Sequence, residues 1–543
     1  MNILGITFGS HSCGLSLIKD GQVIFAVEEE RFVRVKTFKD FERDFIRYPA
    51  SCVNWAKKNF PKEMEDIHVV TSFFPKQQID ICLDACRLTD LKEKTYIKTS
   101  HHESHCNLAY YLSNFQEDSL VISIDASGTH HSAKFYLGQN GDLKYIDGID
   151  INHKSLGHYY SMLTEFLGWR RLKDEGKVVG MSSHGRFDKK YFEAFDKSIT
   201  INGLKTDEDK ECDTILGGVY KDFYNNFFKT NGSVFCFHRK ADLAFNGQLV
   251  FENKILQLIG NLHNLYPNVK NLALAGGVFA NVKLNKRIND LDWVKEVFVA
   301  PPMGDEGLPL GCCLTAYKQF NPDFKPFKIN DMFLGASFSD KDTEELFWDK
   351  SKFDREPYSD DKVAEELANG KIVGLVWGRF EHGPRALCNR SIIANPGIPG
   401  TYDKINKKLQ RNDFMPFAPV VIDIFADEVF DVKKSRYAAE FMTMLYDTRK
   451  NWICKIPAVV HPIDHTARIQ IVTPQSNPRF YSLITKFDNK TSIPVLLNTS
   501  FNIHEEPIIS SPKEGFVHLG NDIVDLLVVD NFVYTKKSER LSY

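Results

Sequence analysis

Between Gly378 and Ser391 the chain reads Gly-Arg-Phe-Glu-His-Gly-Pro-Arg-Ala-Leu-Cys-Asn-Arg-Ser, which places three arginines, a histidine and a carboxylate within fourteen residues. Arginine forks bind phosphate oxygens bidentately, and a Gly-Pro turn lets backbone approach a ligand. The preceding run, Ile372 to Trp377, is apolar and predicts a buried strand, and α/β proteins bind ligands just beyond strand ends. Recognition of a phosphate-bearing substrate is the chemistry expected here. A second constellation suits a metal. His101 and His105 are four residues apart, and Ser100 with Glu103 predicts a capping box that starts a helix at Ser100. Both imidazoles then share one helical face, the spacing by which a helix offers two ligands to one ion. Asp125, at the end of the next predicted strand, is a third candidate ligand, and Asp305, in the polar loop Pro302 to Gly307, is a fourth. Two imidazoles with two carboxylates suit Fe(II), Mn(II) or Zn(II). His102, His130 and His131 lie close in sequence and compete for the assignment.

The elements that position these residues show a repeat. Ile3 to Phe8 and Gly14 to Ile18 read as strands, and Asp20-Gly21 is a hairpin signal before Val23 to Val27. Leu120 to Ile124, Ala133 to Leu137, Asn140-Gly141 and Leu143 to Ile149 repeat that plan, with a small polar loop after the first strand of each copy. Such a duplicated unit resembles the start of each half of the actin, sugar-kinase and Hsp70 fold, where both loops face a nucleotide. Leu272 to Asn281 then predicts a strand running through Gly276-Gly277 into a helix, so that backbone amides can approach an anion. Asp242 to Leu258 has helical periodicity and is expected to pack in the core. Residues 320 to 328 carry two prolines and no clear period, and the domain boundary is placed just beyond them, near residue 345. Beyond it, Ile372 to Trp377, Ala418 to Ile424, Ala467 to Val472 and Ile493 to Leu497 are expected strands.

Bulk properties bound the class. With 543 residues and 43% apolar content the chain can form at least two domains. Its 68 basic and 71 acidic residues nearly cancel, so no global charge favours nucleic acid or membrane. No signal peptide or membrane span is recognised, and eleven scattered cysteines without a CxxC pair suit reduced thiols. A cytoplasmic location is expected.

Several motifs in order carry a family resemblance: His101-His102-x-x-His105, Glu175-Gly176-Lys177-Val178-x-Gly180, Gly276-Gly277-Val278-x-x-Asn281 and Gly304-Asp305-x-Gly307-x-x-Leu310-Gly311. They continue with Gly383-Pro384-Arg385-Ala386-Leu387, Pro416-Phe417-Ala418-Pro419, Asp464-x-Thr466-Ala467-Arg468-x-Gln470 and Asn498-Thr499-Ser500-Phe501-Asn502. The chain resembles the O-carbamoyltransferases that modify nodulation factors, cephalosporins and aminoglycosides, from Glu28-Glu29-Glu30-Arg31 to Pro507. The resemblance implies an α/β chain with a Kae1-like domain over residues 1–345 and an α+β YrdC-like domain over residues 346–543. The second would make carbamoyl-adenylate from carbamoyl phosphate and ATP, with Mg accompanying ATP. The first would transfer the carbamoyl group to a hydroxyl-bearing acceptor beside a metal, iron in this family. Carried over by residue, Arg385, Arg468, Ser500 and Asn502 would contact carbamoyl phosphate, with Arg411 beside them. His101, His105, Asp125 and Asp305 would bind the metal, and Lys177, Gly276, Gly277 and Asn281 would lie against the adenylate. His11 would be the general base at the acceptor. A homodimer is a candidate assembly.

The chain departs from the family pattern at Ser12, Leu409, Met415, His465 and Glu505, the last two standing where glycine is usual. A threonylcarbamoyl-type tRNA-modifying enzyme and a non-catalytic carbamoyl phosphate or nucleotide sensor are the alternative functions. The resemblance implies sugar hydroxyls or ring hydroxymethyl groups as acceptors, and hydroxymethylated pyrimidines in nucleic acid are a chemically similar target. Residues 31 to 47 interleave basic and aromatic side chains, a pattern that fits either nucleic-acid contact or a lid over a small-molecule pocket.

Overall fold

A computed structural model describes residues 1–9, 12–36, 46–208, 224, 226, 227, 236–411 and 416–537. His11, Met415 and residues 37–45 of the basic-aromatic segment lie outside the described residues. The first sheet contains β1 (Asn2–Thr7), β2 (Gly14–Lys19), β3 (Gln22–Glu28), β4 (Ile67–Ser72) and β5 (Thr95–Lys98) in the order β3-β2-β1-β4-β5. The second contains β6 (Ser119–Ile124), β7 (His131–Gln139) and β8 (Asp142–Asp150), and, beyond the short pair β9 (Ile201–Asn202) and β10 (Lys205–Thr206), β11 (Asn271–Ala275) and β12 (Glu296–Val299). Its order, β12-β11-β6-β7-β8, is that of the first sheet with equivalent strands in equivalent places. Each sheet is antiparallel through its first three strands and parallel through the rest. The expected duplication is therefore present in topology as well as in sequence. Asp20 and Gly21 (φ 50° and 81°) and Asn140 and Gly141 (φ 55° and 88°) turn the two hairpins, both positions left-handed as a type I′ turn needs.

Two helices lie between the sheets, His101–Leu112 and Leu308–Phe320. They approach closely because Gly311 has no side chain; a Cβ there would come within 2.3 Å of the Ser104 carbonyl oxygen. The third sheet is mixed. It contains β13 (Phe353–Pro357), β14 (Val373–Val376), β15 (Arg390–Ala394) and β16 (Ala418–Ile422), then, after the short pair β17 (Tyr446–Asp447) and β18 (Thr466–Ala467), β19 (Gln470–Val472), β20 (Val495–Ser500), β21 (Leu526–Val529) and β22 (Phe532–Lys536). Their order is β13-β22-β21-β14-β15-β20-β16-β19. β14, β15, β16, β21 and most of β20 are buried along their length, which explains why they read as continuous apolar runs.

Several expectations shift. The strand expected over Ala467 to Val472 is two strands, β18 and β19, broken at Arg468 and Ile469, and the break is what frees Arg468 from either ladder. The helix expected over Asp242 to Leu258 runs from Phe237 to Leu265. Ser100 is the N-cap in extended backbone, but the capping box does not form: its Oγ donates to Glu103 at 3.3 Å instead of accepting an amide. Residue 345 falls inside a helix, Asp340–Leu346, whose own capping box joins Ser339 and Asp342. Among the described residues no helix is long and apolar enough to cross a membrane.

Candidate functional site

His101 and His105 leave the first turns of their helix toward Asp125, which follows β6, and Asp305, which opens a short 3-10 turn before Leu308–Phe320. His101 Nε2 is 3.5 Å from Asp305 Oδ1, and His105 Nε2 lies 3.5 Å from Asp305 Oδ1 and 3.6 Å from Asp125 Oδ2. One ligand atom from each of the four side chains falls within 4.8 Å of the others. His105 is fully buried, and neither ring nitrogen has a hydrogen-bond partner among the described residues. Such an orphan is costly unless something else satisfies it. Metal bonds of roughly 2.0–2.2 Å would bring ligand atoms to separations of this order, so the group fits a divalent ion. The other histidines do not join it. His102 bridges Ser123 Oγ and the His131 carbonyl at 2.8 Å each, and burial followed by its neighbouring histidines holds its pKa well below the usual range. His131 faces Asp150 at 3.2 Å.

Backbone ties hold the metal group in place. Asp125 Oδ2 accepts the Gly277 amide at 3.0 Å, and the Gly276 amide donates to the Met303 carbonyl at 2.7 Å. Gly276 has φ +97°, and a Cβ there would meet the Ile124 carbonyl oxygen at 2.2 Å, so both conformation and space require glycine. Ser12 Oγ donates to the Asp305 carbonyl at 2.8 Å. The serine departure thus supports the loop that carries a candidate ligand. Asn281 caps the helix Val282–Asn289 by accepting the Leu284 amide and exchanges two hydrogen bonds with Gln248. Lys177 pairs with Asp174 at 3.1 Å.

Of the arginines between Gly378 and Ser391, two are committed to the fold. Arg390 is fully buried and donates to the carbonyls of Trp377, Gly378, Asn389, Ala336 and Ser510. Arg379 donates to the carbonyls of Gly335, Ile24 and Leu334. Arg385 is different: it has one long contact, 3.4 Å to the Ala280 carbonyl, and its Nε is buried without a hydrogen-bond partner. It converges with Arg468 and Arg411. Burial first, then the guanidiniums of Arg385 and Arg411, push the Arg468 pKa well below its usual value. Neither Arg385 nor Arg468 has a carboxylate in ion-pairing range among the described residues. Arg411 is held by Thr499 Oγ1 at 2.8 Å and by Ser500 Oγ and Asn502 Oδ1 at 3.0 Å each. Arg385 and Arg468, like charges under burial with no ion-paired carboxylate among the described residues, are arranged for an anion.

The two groups meet at a seam that the sequence did not single out. Glu381 Oε1 accepts the amides of Leu387, Asn389 and Arg390 at 2.7, 2.8 and 3.0 Å and so shapes the loop around itself. Arg31, 2% exposed, sits over the Phe380 ring with Glu381 Oε2 3.9 Å away. Glu28, at the end of β3, accepts the Gly383 amide at 2.9 Å and lies 2.8 Å from His382 Nδ1. Burial raises the Glu28 pKa, but His382, Arg31 and the Gly383 amide outweigh it and hold the carboxyl below the usual range. Glu306, next to Asp305, is pushed up to about 7 by burial and lies in electrostatic reach of Glu28, His382 and Arg385. Its signal was its place in a polar loop already carrying Asp305; Glu28 had only its motif. Arg34 donates to the carbonyls of Pro507 and Ile508 at 2.7 Å each. Arg31 and Arg34 therefore fasten the sheets together, and neither faces outward to a nucleic-acid phosphate.

Glu175, in the Glu-Gly-Lys-Val motif, accepts hydrogen bonds from Ser161 Oγ and the Leu172 amide, yet burial lifts its pKa to about 7. An acid with a raised folded-state pKa supplies stability at low pH and loses it as pH rises through that value. Glu175→Gln should therefore be more stable than wild type at pH 8, by on the order of 1–3 kcal/mol, with the difference vanishing below about pH 4.5. Thermal unfolding at the two pH values measures it, and an equal shift at both would exclude the ionisation as its cause.

Comparison with known proteins places the chain in a family. The family model described as the carbamoyltransferase N-terminus matches residues 56–314, and that described as the carbamoyltransferase C-terminus matches residues 364–536. An uncharacterized protein of Methanocaldococcus jannaschii is 33% identical, covering 98% of this chain and 99% of its own. Nodulation protein NolNO of Sinorhizobium fredii is 29% identical over 97% of this chain and 79% of its own length. The 3'-hydroxymethylcephem-O-carbamoyltransferase of Amycolatopsis lactamdurans is 34% identical over 48% of this chain and 46% of its own. With both terminal models matched in order and a relative aligned end to end, this chain belongs to the carbamoyltransferase family and is a transferase.

Proposed function

We propose that the chain is an ATP-dependent O-carbamoyltransferase in which residues 346–543 activate carbamoyl phosphate as carbamoyl-adenylate and residues 1–345 pass the carbamoyl group to an acceptor hydroxyl. The observation that carries this reading is the presence, in one chain, of Arg385 and Arg468, in mutual electrostatic reach with no ion-paired carboxylate among the described residues, and of a His/Asp group fit for a metal. Arg385, Arg411 and Arg468 would neutralise the phosphate and hold it in line for displacement. Thr499, Ser500 and Asn502 fix the Arg411 fork, so its donors need no reordering when the anion arrives. The Gly276-Gly277 amides would approach the adenylate, while the seam between the sheets keeps a hydrolysis-prone mixed anhydride away from water. Held by His101, His105, Asp125 and Asp305, a divalent metal, iron by family resemblance, would polarise the carbamoyl oxygen or orient the attacking hydroxyl. His11 is the proposed base for that hydroxyl. The O-carbamoyl chemistry in the name of the cephem-modifying relative supports a hydroxyl or hydroxymethyl acceptor.

The test is ATP–pyrophosphate exchange with and without carbamoyl phosphate, followed by transfer from labelled carbamoyl phosphate to a panel of sugars, antibiotics, nucleosides and hydroxymethylated DNA. Exchange should require carbamoyl phosphate, and label should appear on one acceptor class. Exchange that depends on threonine plus bicarbonate instead would sink the proposal in favour of a threonylcarbamoyl enzyme.

A further inference from the structure

Atom balance exposes a step that the arginines cannot perform. Carbamoyl phosphate and ATP can yield carbamoyl-adenylate only if the first loses its phosphate, and that loss takes one water. Carbamate and inorganic phosphate result, and a carbamate oxygen then attacks the α-phosphorus of ATP and expels pyrophosphate. Water needs a base as it attacks, and a guanidinium does not give up its proton in a protein.

We propose that His382 is that base, a reading that rests on the function proposed above. Glu28 Oε1 stands 2.8 Å from Nδ1, an ion-pair contact outside hydrogen-bond alignment whose charge favours the proton on Nδ1 and the lone pair on Nε2. His382 is 2% exposed, and Nε2 has no hydrogen-bond partner among the described residues. The same Glu28 oxygen accepts the Gly383 amide at 2.9 Å, so one carboxylate holds the turn and lies against the ring before it. That turn leads through Gly383 (φ +104°) and Pro384 to Arg385, whose Nε is likewise buried without a hydrogen-bond partner among the described residues. A proton acceptor and a cationic donor thus stand three residues apart on one braced loop. Glu306 lies in electrostatic reach of both, and Arg31 acts on the Glu28 carboxylate behind the histidine. This is the complement of a water poised against a phosphoryl group. In the step, the water oxygen bonds to phosphorus, and the bond from phosphorus to the carbamoyl oxygen breaks. Its electron pair leaves with carbamate, and the water proton passes to His382 Nε2.

A buried Glu–His pair can also serve only to join two sheets, and the half-reactions separate these roles. In the full-length chain, His382→Gln should lower carbamoyl phosphate-dependent ATP–pyrophosphate exchange by at least about a hundredfold, a usual size for removal of a general base. Exchange supplied with ammonium carbamate, which bypasses the water step, should stay within about twofold of wild type, since no general-base contribution is withdrawn from it. Glu28→Gln should show the same pattern more weakly, near tenfold by the same reasoning, and stands in if the histidine variant does not fold. Loss of both exchanges in parallel, or of neither, would overturn the assignment. A wild-type chain that exchanges with carbamate but not with carbamoyl phosphate would overturn it too, while leaving adenylation intact. Exchange with neither would instead bring down the carbamoyl-adenylate route proposed above, on which it rests.

Discussion

Arg385→Ala is expected to abolish measurable carbamoyl-adenylate formation and, at the same time, to raise the melting temperature of the ligand-free chain. The activity loss follows from removing one arm of an anion clamp. Charge-assisted hydrogen bonds contribute about 1.5–3 kcal/mol each, so binding of carbamoyl phosphate should weaken by at least tenfold from that contact alone. Arg385 also acts on Arg468, whose pKa burial and two guanidinium neighbours push well down. Like charges held together without ligand are a stored cost, and deleting one relieves it. The opposite signs are the useful part. A surface arginine would change neither quantity, and an arginine bound into the fold, such as Arg390 with its five carbonyl acceptors, would lower both. Exchange assays and thermal unfolding of the same preparation measure the two effects. Undiminished exchange would remove Arg385 from the site.

That contrast marks where sequence reading stops. Arg379, Arg385 and Arg390 lie in one run, and nothing in their order says that two donate to backbone while one faces an anion. The difference comes from Glu381 gathering the loop's amides and from the carbonyls of Gly335 and Ala336, which reach the loop from outside it. Local signals fared better. The Asp-Gly and Asn-Gly turns marked the repeated hairpins because left-handed backbone at two successive residues strongly restricts composition. The four candidate metal ligands were found because i, i+4 spacing and strand ends are local geometry, and the two sheets then brought them together. His465 (φ 55°) and Glu505 (φ 73°) explain their own departures in part: both positions are left-handed, which is why glycine is usual there. The capping box failed for a similar reason in reverse, since its residues were present but Ser100 turned its hydroxyl to the Glu103 carboxylate. Glu28 and His382, 354 positions apart in sequence, could be joined only by the fold.

His105→Ala should separate the two halves of the reaction. The variant is expected to keep carbamoyl phosphate-dependent exchange, because Arg385, Arg411 and Arg468 lie beside the third sheet and, among the described residues, none has a hydrogen bond or ion pair to the helix His101–Leu112. Transfer to the acceptor should disappear with the bound metal. His105 is the most central of the four, since its Nε2 approaches both carboxylates while His101 approaches one. Removing it leaves a single imidazole, and a borderline metal loses most of its preference for the site. Metal affinity should fall by at least about a hundredfold, beyond what loss of a supporting contact does. Elemental analysis after dialysis reads the metal directly, and labelled carbamoyl transfer reads the activity. Burial makes the folding outcome informative as well. Truncating the side chain removes two nitrogens without hydrogen bonds among the described residues along with its packing, so little stability should be lost without metal, and more when metal is supplied to the wild type. Full transfer by the His105→Ala chain after chelation would show that the His/Asp group is structural, and the chemistry at the acceptor would then have to come from residues outside it.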